Sequence, residues 1–289
     1  MMERRKNLAR EGLTEALRLR LHHNIELHEA ICPYDLAEKL GVRVYFDNSM
    51  PSMEAAYVNS NPSKIIVTSL RPIGRMAYSC AHEIGHHVFG HGSHIDEVKE
   101  QTRKTKKDSD EFLAEVFAAF LLMPKLAVNY GFSKRKWSCP DCTPRQVFIV
   151  ASWLGVGYTT LVTHMCHTLR LITTVKAKEL LKVSPGRIKQ ELVGKRSLKN
   201  VFWIDKHWVG RPIDVCVGDL IITEETLELE RHIAEPVSLR LTEQAFLALH
   251  PGIGRLHTHD ESCAMFVRVS RQEYKGWGRY RHLEDPEHG

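Results

Sequence analysis

Two histidines four residues apart, with a glutamate between them, constrain this chain more than any other feature. The stretch AHEIGHHVFGH, from Ala81 to His91, holds His82, Glu83 and His86 in the order His-Glu-x-x-His. On an α-helix, positions four apart are separated by about 400° of rotation and about 6 Å of rise, so both imidazoles leave from one face. Two such nitrogens at about 2.0–2.1 Å form one edge of a tetrahedral zinc site. Glu83 leaves from another face, and the reading makes it the base that takes the proton of a metal-activated water. The flanking RMAYSCA is small and apolar, and Gly85 leaves space beside the site. That favours a buried helix over a surface helix with unrelated histidines.

Such a site needs a third protein ligand and a fourth, open position. The extended pattern His-Glu-x-x-His-x-x-Gly-x-x-His is excluded, because Phe89 stands in its glycine position and Gly92 in its third-histidine position. The other common solution is a glutamate on a following helix. The segment SDEFLAEVFAAFLLMP supplies two, Glu111 and Glu115, again four apart. Ser109 or Asp110 can cap that helix and Pro124 stops it.

Around this pair the periodicity predicts a long N-terminal helix with Leu8, Leu13, Ala16, Leu17 and Leu21 on one face. A short helix in PYDLAEKLG follows, with Pro33 in its first turn. VRVYF, AAYV and KIIVTS read as strands. The charge-rich GSHIDEVKEQTRKTKKDSD, from Gly92 to Asp108 and on to Asp110, reads as an exposed loop and a candidate gate. TPRQVFIVASWLGVGYTTLVTHMCHTLRL gives two helices around GVG, with Thr143 as cap. From about Lys195 to Ser270 short alternating runs predict mostly strand.

PYDLAEKLGVRVYF, then KIIVTS, then AHEIGH, then the second acidic helix with FAAFLLMP is similar, in order and content, to the ImmA/IrrE family of bacterial metallopeptidases. The resemblance covers roughly residues 1 to 170. It implies an α+β fold with a zincin-like peptidase domain, built of a small sheet and an active-site helix. It also implies a helix-turn-helix-like segment, and a β-rich C-terminal domain completes the expected chain. The boundaries fall at 1–135, 136–185 and 186–289. Alignment on Phe117–Ala118 implies Glu111 as the third zinc ligand, with Glu115 as a group orienting a histidine. The family's activity implies a zinc endopeptidase whose target is a DNA-binding helix-turn-helix repressor, cut to switch on a stress or mobile-element response.

The strand Lys64, Ile65, Ile66 and Val67, just before the metal helix, is expected at the sheet edge, where an extended substrate adds as a further strand. The alternative function is a non-catalytic DNA- or partner-binding regulator with a structural metal, or a defence protease with another target. Of the net charge of +5, few lysines or arginines fall on the helix pair, which weakens a DNA contact there. Seven cysteines, an odd number, make no disulfide framework. No apolar run spans a bilayer and no apolar stretch follows the charged N-terminus, so a cytoplasmic protein without membrane contact is expected. Cys139 and Cys142 form one C-x-x-C, for which a second structural zinc completed by Cys166 and His167 is the less favoured reading. His87 is read as solvent-facing or packed; His91 and His94 sit beyond the helix end, where contact of either with the site or an incoming substrate is the less favoured reading. His250, His257, His259 and Asp260 lie close together in sequence without a commitment to a second metal cluster.

Overall fold

The computed structural model describes residues 2–97, 107–194, 200–230, 233–239, 244–260 and 262–283. The long N-terminal run forms α1 (Met2–His22), and Pro33 opens α2 (Pro33–Lys39) at its first position. The β-branched and aromatic runs form β1 (Arg43–Asp47), β2 (Met53–Val58) and β3 (Lys64–Thr68). Strand β1 pairs with β3 in parallel, with Val44 opposite Ile65 and Phe46 opposite Val67. Strand β2 pairs with β3 antiparallel, placing Tyr57 opposite Ile65. Val44, Phe46, Tyr57, Ile65 and Val67 are all buried, so the period-two pattern delivers one apolar face to the core.

That face is covered by α3 (Ile73–Val88), whose residues from Met76 to His86 are mostly buried. The chain then adds β4 (His94–Glu97), antiparallel to β2, and enters α4 (Lys107–Leu122). Two expectations are corrected here. The start of the charge-rich connection is a strand rather than loop, because β2 offers it an open edge; residues 98–106 of the expected gate lie outside the described residues. Helix α4 also starts before Ser109 and Asp110, so neither is its cap.

Helices α3 and α4 approach closely. A Cβ on Gly85 would lie 3.1 Å from the Cα of Ala114 and 3.2 Å from the Phe117 ring, so the absence of a side chain lets the two helices meet one turn beyond Glu111. Helix α1 packs along α4 on its other side. Its Arg20, fully buried, donates at 2.7 Å to the carbonyl of Glu26 and to that of Leu121, an oxygen that the last turn of α4 leaves open.

After α5 (Lys125–Ser133), Thr143 and Gln146 form a reciprocal capping box at the start of α6 (Pro144–Leu154). Helix α7 (Tyr158–Thr163) follows at 104° to α6 and ends in a π-helical turn through Thr168. The angle is that of a helix-turn-helix. The turn itself is not free: a Cβ on Gly74, in α3, would lie 2.7 Å from the Val156 backbone. Trp153, Leu154, Val156, Tyr158 and Leu161 are buried. Helices α8 (Thr174–Leu181) and α9 (Pro185–Val193) complete this layer. No single helix among the described residues is long and apolar enough to cross a membrane.

The expected strand-rich region forms two four-stranded sheets. One has the order β5 (Val201–Ile204), β7 (Leu220–Thr223), β10 (Gln244–Ala248), β9 (Ala234–Val237); the other runs β6 (Ile213–Cys216), β12 (Ala264–Ser270), β11 (Gly252–His257), β8 (Glu228–Leu229). A last short strand, β13 (Gly276–Trp277), leaves these sheets and pairs antiparallel with β1, so the first sheet has the order β13-β1-β3-β2-β4. Tyr45 and Trp277 meet edge to face at 5.3 Å across that pair.

A half-buried charge network also joins α2 to the C-terminal sheets. Arg268 on β12 holds both oxygens of Asp214 on β6 at 2.6 Å and reaches Asp35 on α2 at 2.8 Å. Burial alone would raise the pKa of Asp214. The nearby His282 ring, 3.5 Å away, and the charges of Arg281 and Arg268 overcome it and hold the carboxyl far below its ordinary range.

Candidate metal centre

Helix α3 buries both motif histidines and the glutamate between them: His82 is 7% exposed, His86 1% and Glu83 0%. The four-residue spacing brings the Nε2 atoms of His82 and His86 to 3.1 Å. Helix α4, held close at Gly85, sets Glu111 against them, with Oε2 3.4 Å from His82 Nε2 and Oε1 3.6 Å from His86 Nε2. An ion with bonds of about 2.0–2.1 Å at tetrahedral angles separates its ligand atoms by roughly 3.3 Å. The three observed separations bracket that value. His82, His86 and Glu111 thus fit a single metal ion, and their ligand atoms all lie within 4.8 Å of one another.

The two glutamates four apart on α4 part company. Glu111 converges on the histidines, whereas Glu115 is exposed and its backbone carbonyl accepts from the Tyr78 hydroxyl at 3.3 Å. The expected orienting role of Glu115 is therefore corrected, because that position of α4 faces solvent. The group that does touch a motif histidine from behind is His91, whose Nδ1 lies 3.0 Å from His86 Nδ1. Composition and spacing left His91 peripheral; the signal for it was Gly90, which ends α3 with φ of +65° and turns the chain back.

The expected substrate strand is also corrected. Lys64, Ile65, Ile66 and Val67 lie in β3, which has β1 on one side and β2 on the other. Its hydrogen-bonding edges are occupied, so it cannot accept a further strand. Strand β4 is outermost beside β2 among the described residues, with β13 at the opposite edge.

The remaining candidates do not gather. His87 Nδ1 lies 2.8 Å from the Tyr57 hydroxyl, and burial lowers its pKa. His94 is in β4, whose side chains lie outside the described residues. Cys139 and Cys142 are buried thiols whose pKa burial pushes up to about 11, and with Cys166 and the exposed His167 they form no group able to share an ion among the described residues. At the C-terminal cluster, His257 Nδ1 faces the Thr258 carbonyl at 3.0 Å, while His259 is 94% exposed beside Glu228. Asp260 accepts from the hydroxyls of Thr258 and Ser262, which hold its carboxyl down at about 2.

Comparison with known proteins finds similarity over part of the chain. A search of the solved structures gives a Mycobacterium tuberculosis transcriptional regulator, 12% identical, with a TM-score of 0.37 over 54% of this chain. The match covers 46% of that regulator, so the chain spans about half its length. No curated protein matches the chain. Residues 37–137 match the model of peptidase family M78, described as the IrrE N-terminal-like domain. That segment contains His82, Glu83, His86 and Glu111, and over these residues the chain is similar to that domain.

Proposed function

We propose that this protein is a zinc-dependent endopeptidase that hydrolyses a peptide bond in a protein target. The observation that carries the reading is the convergence of His82, His86 and Glu111 beside a buried glutamate on the same helix. Two imidazole nitrogens and one carboxylate suit zinc; magnesium and calcium select oxygen ligands throughout. Zinc, when bound, supplies Lewis-acid polarisation of a carbonyl and acidifies water. His82 Nε2, His86 Nε2 and a Glu111 oxygen would hold it. The Glu83 carboxylate takes the proton of the attacking water and passes it to the departing amine.

Strand β4 supports a polypeptide substrate. It follows α3 within a few residues and is outermost in the sheet on that side among the described residues. An extended chain added there would pair its backbone groups with the outer edge of β4. The resemblance to the ImmA/IrrE family makes a DNA-binding repressor the expected target.

The test is cleavage of a peptide library and of purified helix-turn-helix repressors, with products identified by mass spectrometry. Wild-type protein loaded with zinc should cut at defined bonds. Glu83→Gln should keep one zinc per chain and the fold while losing about 10²–10⁴-fold in rate. A Glu83→Gln variant as active as wild type would end the peptidase reading. Zinc binding with no cleavage by either form would favour the non-catalytic regulator.

A further inference from the structure

We infer that His91 is the positioning residue of this centre, fixing the tautomer and ring orientation of His86; the inference rests on the metal reading above. His86 Nε2 faces His82 Nε2 at 3.1 Å and Glu111 at 3.6 Å, so Nε2 is the ligand atom. A histidine that ligates through Nε2 carries its proton on Nδ1 and needs an acceptor there. The atom 3.0 Å from His86 Nδ1 is His91 Nδ1. For that contact to be a hydrogen bond, His91 Nδ1 accepts and its own proton sits on Nε2. His91 Nε2 in turn faces the Asp110 carboxylate at 4.0 Å, beyond hydrogen-bond range but close enough to favour that tautomer electrostatically.

The local sequence builds this contact. Phe89 caps α3, and Gly90 adopts the left-handed conformation that residues with a Cβ avoid. The Gly90 N–H donates to the His87 carbonyl at 3.2 Å and the His91 N–H to the His86 carbonyl at 3.0 Å. These two bonds define a Schellman motif, in which the side chains of the residue after the glycine and of the last-turn residue ordinarily meet as an apolar pair. Here the pair is imidazole on imidazole, edge to face at 5.1 Å. The Phe89 ring stacks on His91 at 5.7 Å and 21°, and the His91 side chain is 12% exposed. A helix-ending device thus supplies the acceptor that Glu115 does not.

The experiment measures zinc affinity by chelator competition and the visible absorption spectrum of the cobalt-loaded protein. The forms compared are wild type, His86→Ala, His91→Phe and His91→Asn. His91→Phe keeps a ring in the motif but has no acceptor, and should bind zinc about 10–100-fold more weakly with an altered cobalt spectrum. His91→Asn offers an amide oxygen to His86 Nδ1–H and should recover most of the loss. Metal-free melting temperatures separate folding from metal loss, and His91→Ala replaces His91→Phe if the larger ring does not fit. Wild-type affinity and spectrum in His91→Phe, or equal losses in the Phe and Asn variants, would overturn the inference. Full zinc binding by His86→Ala, or none by wild type, would instead remove the metal reading beneath it.

Discussion

Two histidine-rich stretches of this chain look alike as text and differ completely in space. Residues 82–91 carry four histidines and residues 250–260 carry three with an aspartate. In the first, helical spacing and burial force the rings together, and a second helix brings a carboxylate to them. In the second, a strand and its turn point the rings to different partners: His257 to Glu230, His259 to Glu228, and Asp260 to its own turn. Clustering in sequence therefore says little. Period 3.6 places i and i+4 on one face, whereas the residues of a strand and turn diverge.

The largest expected effect tests the first stretch at its remote member. Glu111→Ala should weaken zinc binding by at least about 100-fold, exceeding the usual cost of an orienting group, while Glu115→Ala leaves metal stoichiometry unchanged. Comparable losses in both would mean that α4 meets α3 in another register. An intermediate effect comes from a third kind of histidine, buried and without a carboxylate. His164, 5% exposed, lies 3.0 Å from the Met123 carbonyl, and burial lowers its pKa to about 4. Its neutral form is the one folded into place, so its contribution is present above the unfolded value near 6.5 and is lost as pH falls towards 4. Between pH 7.5 and 5 this amounts to about 2 kcal/mol, and urea unfolding of His164→Gln should show a correspondingly flatter pH dependence. An unchanged slope would remove His164 as the source. The smallest effect belongs to the second stretch: His259→Ala should move the melting temperature by less than about 2 °C and leave zinc binding intact. A loss of zinc there would erase the contrast between the two stretches.

The N-terminal half was legible because its signals are local. Pro33, the alternation in VRVYF and KIIVTS, the Thr143 cap and the His-Glu-x-x-His spacing each act within a turn or a strand. What escaped is what depends on pairing. Nothing in KIIVTS distinguishes an edge from a centre, since strand order is set by partners far along the chain. Strand β4 was hidden in charged residues because an edge strand with one neighbour needs little apolar content. The choice of Glu111 over Glu115 rested on alignment to a family pattern; the structure separates them by the direction each faces on α4. Contact of His91 with the site was the less favoured reading, because that contact comes from the backbone of a helix end, which a count of ligand spacings does not see.

The pairing of β13 with β1 bears on how this protein can be dissected. The outer rim of the sheet beneath the motif helix is supplied by residues from the far end of the described chain, with Trp277 packed on Tyr45 and the Arg268–Asp214–Asp35 network fastened behind it. A fragment ending at residue 194 would strip that rim and leave Asp35 without its arginine. Residues from far along the described chain are thus part of the sheet on which the helix bearing His82 and His86 rests, so the candidate metal centre and the C-terminal sheets share one support.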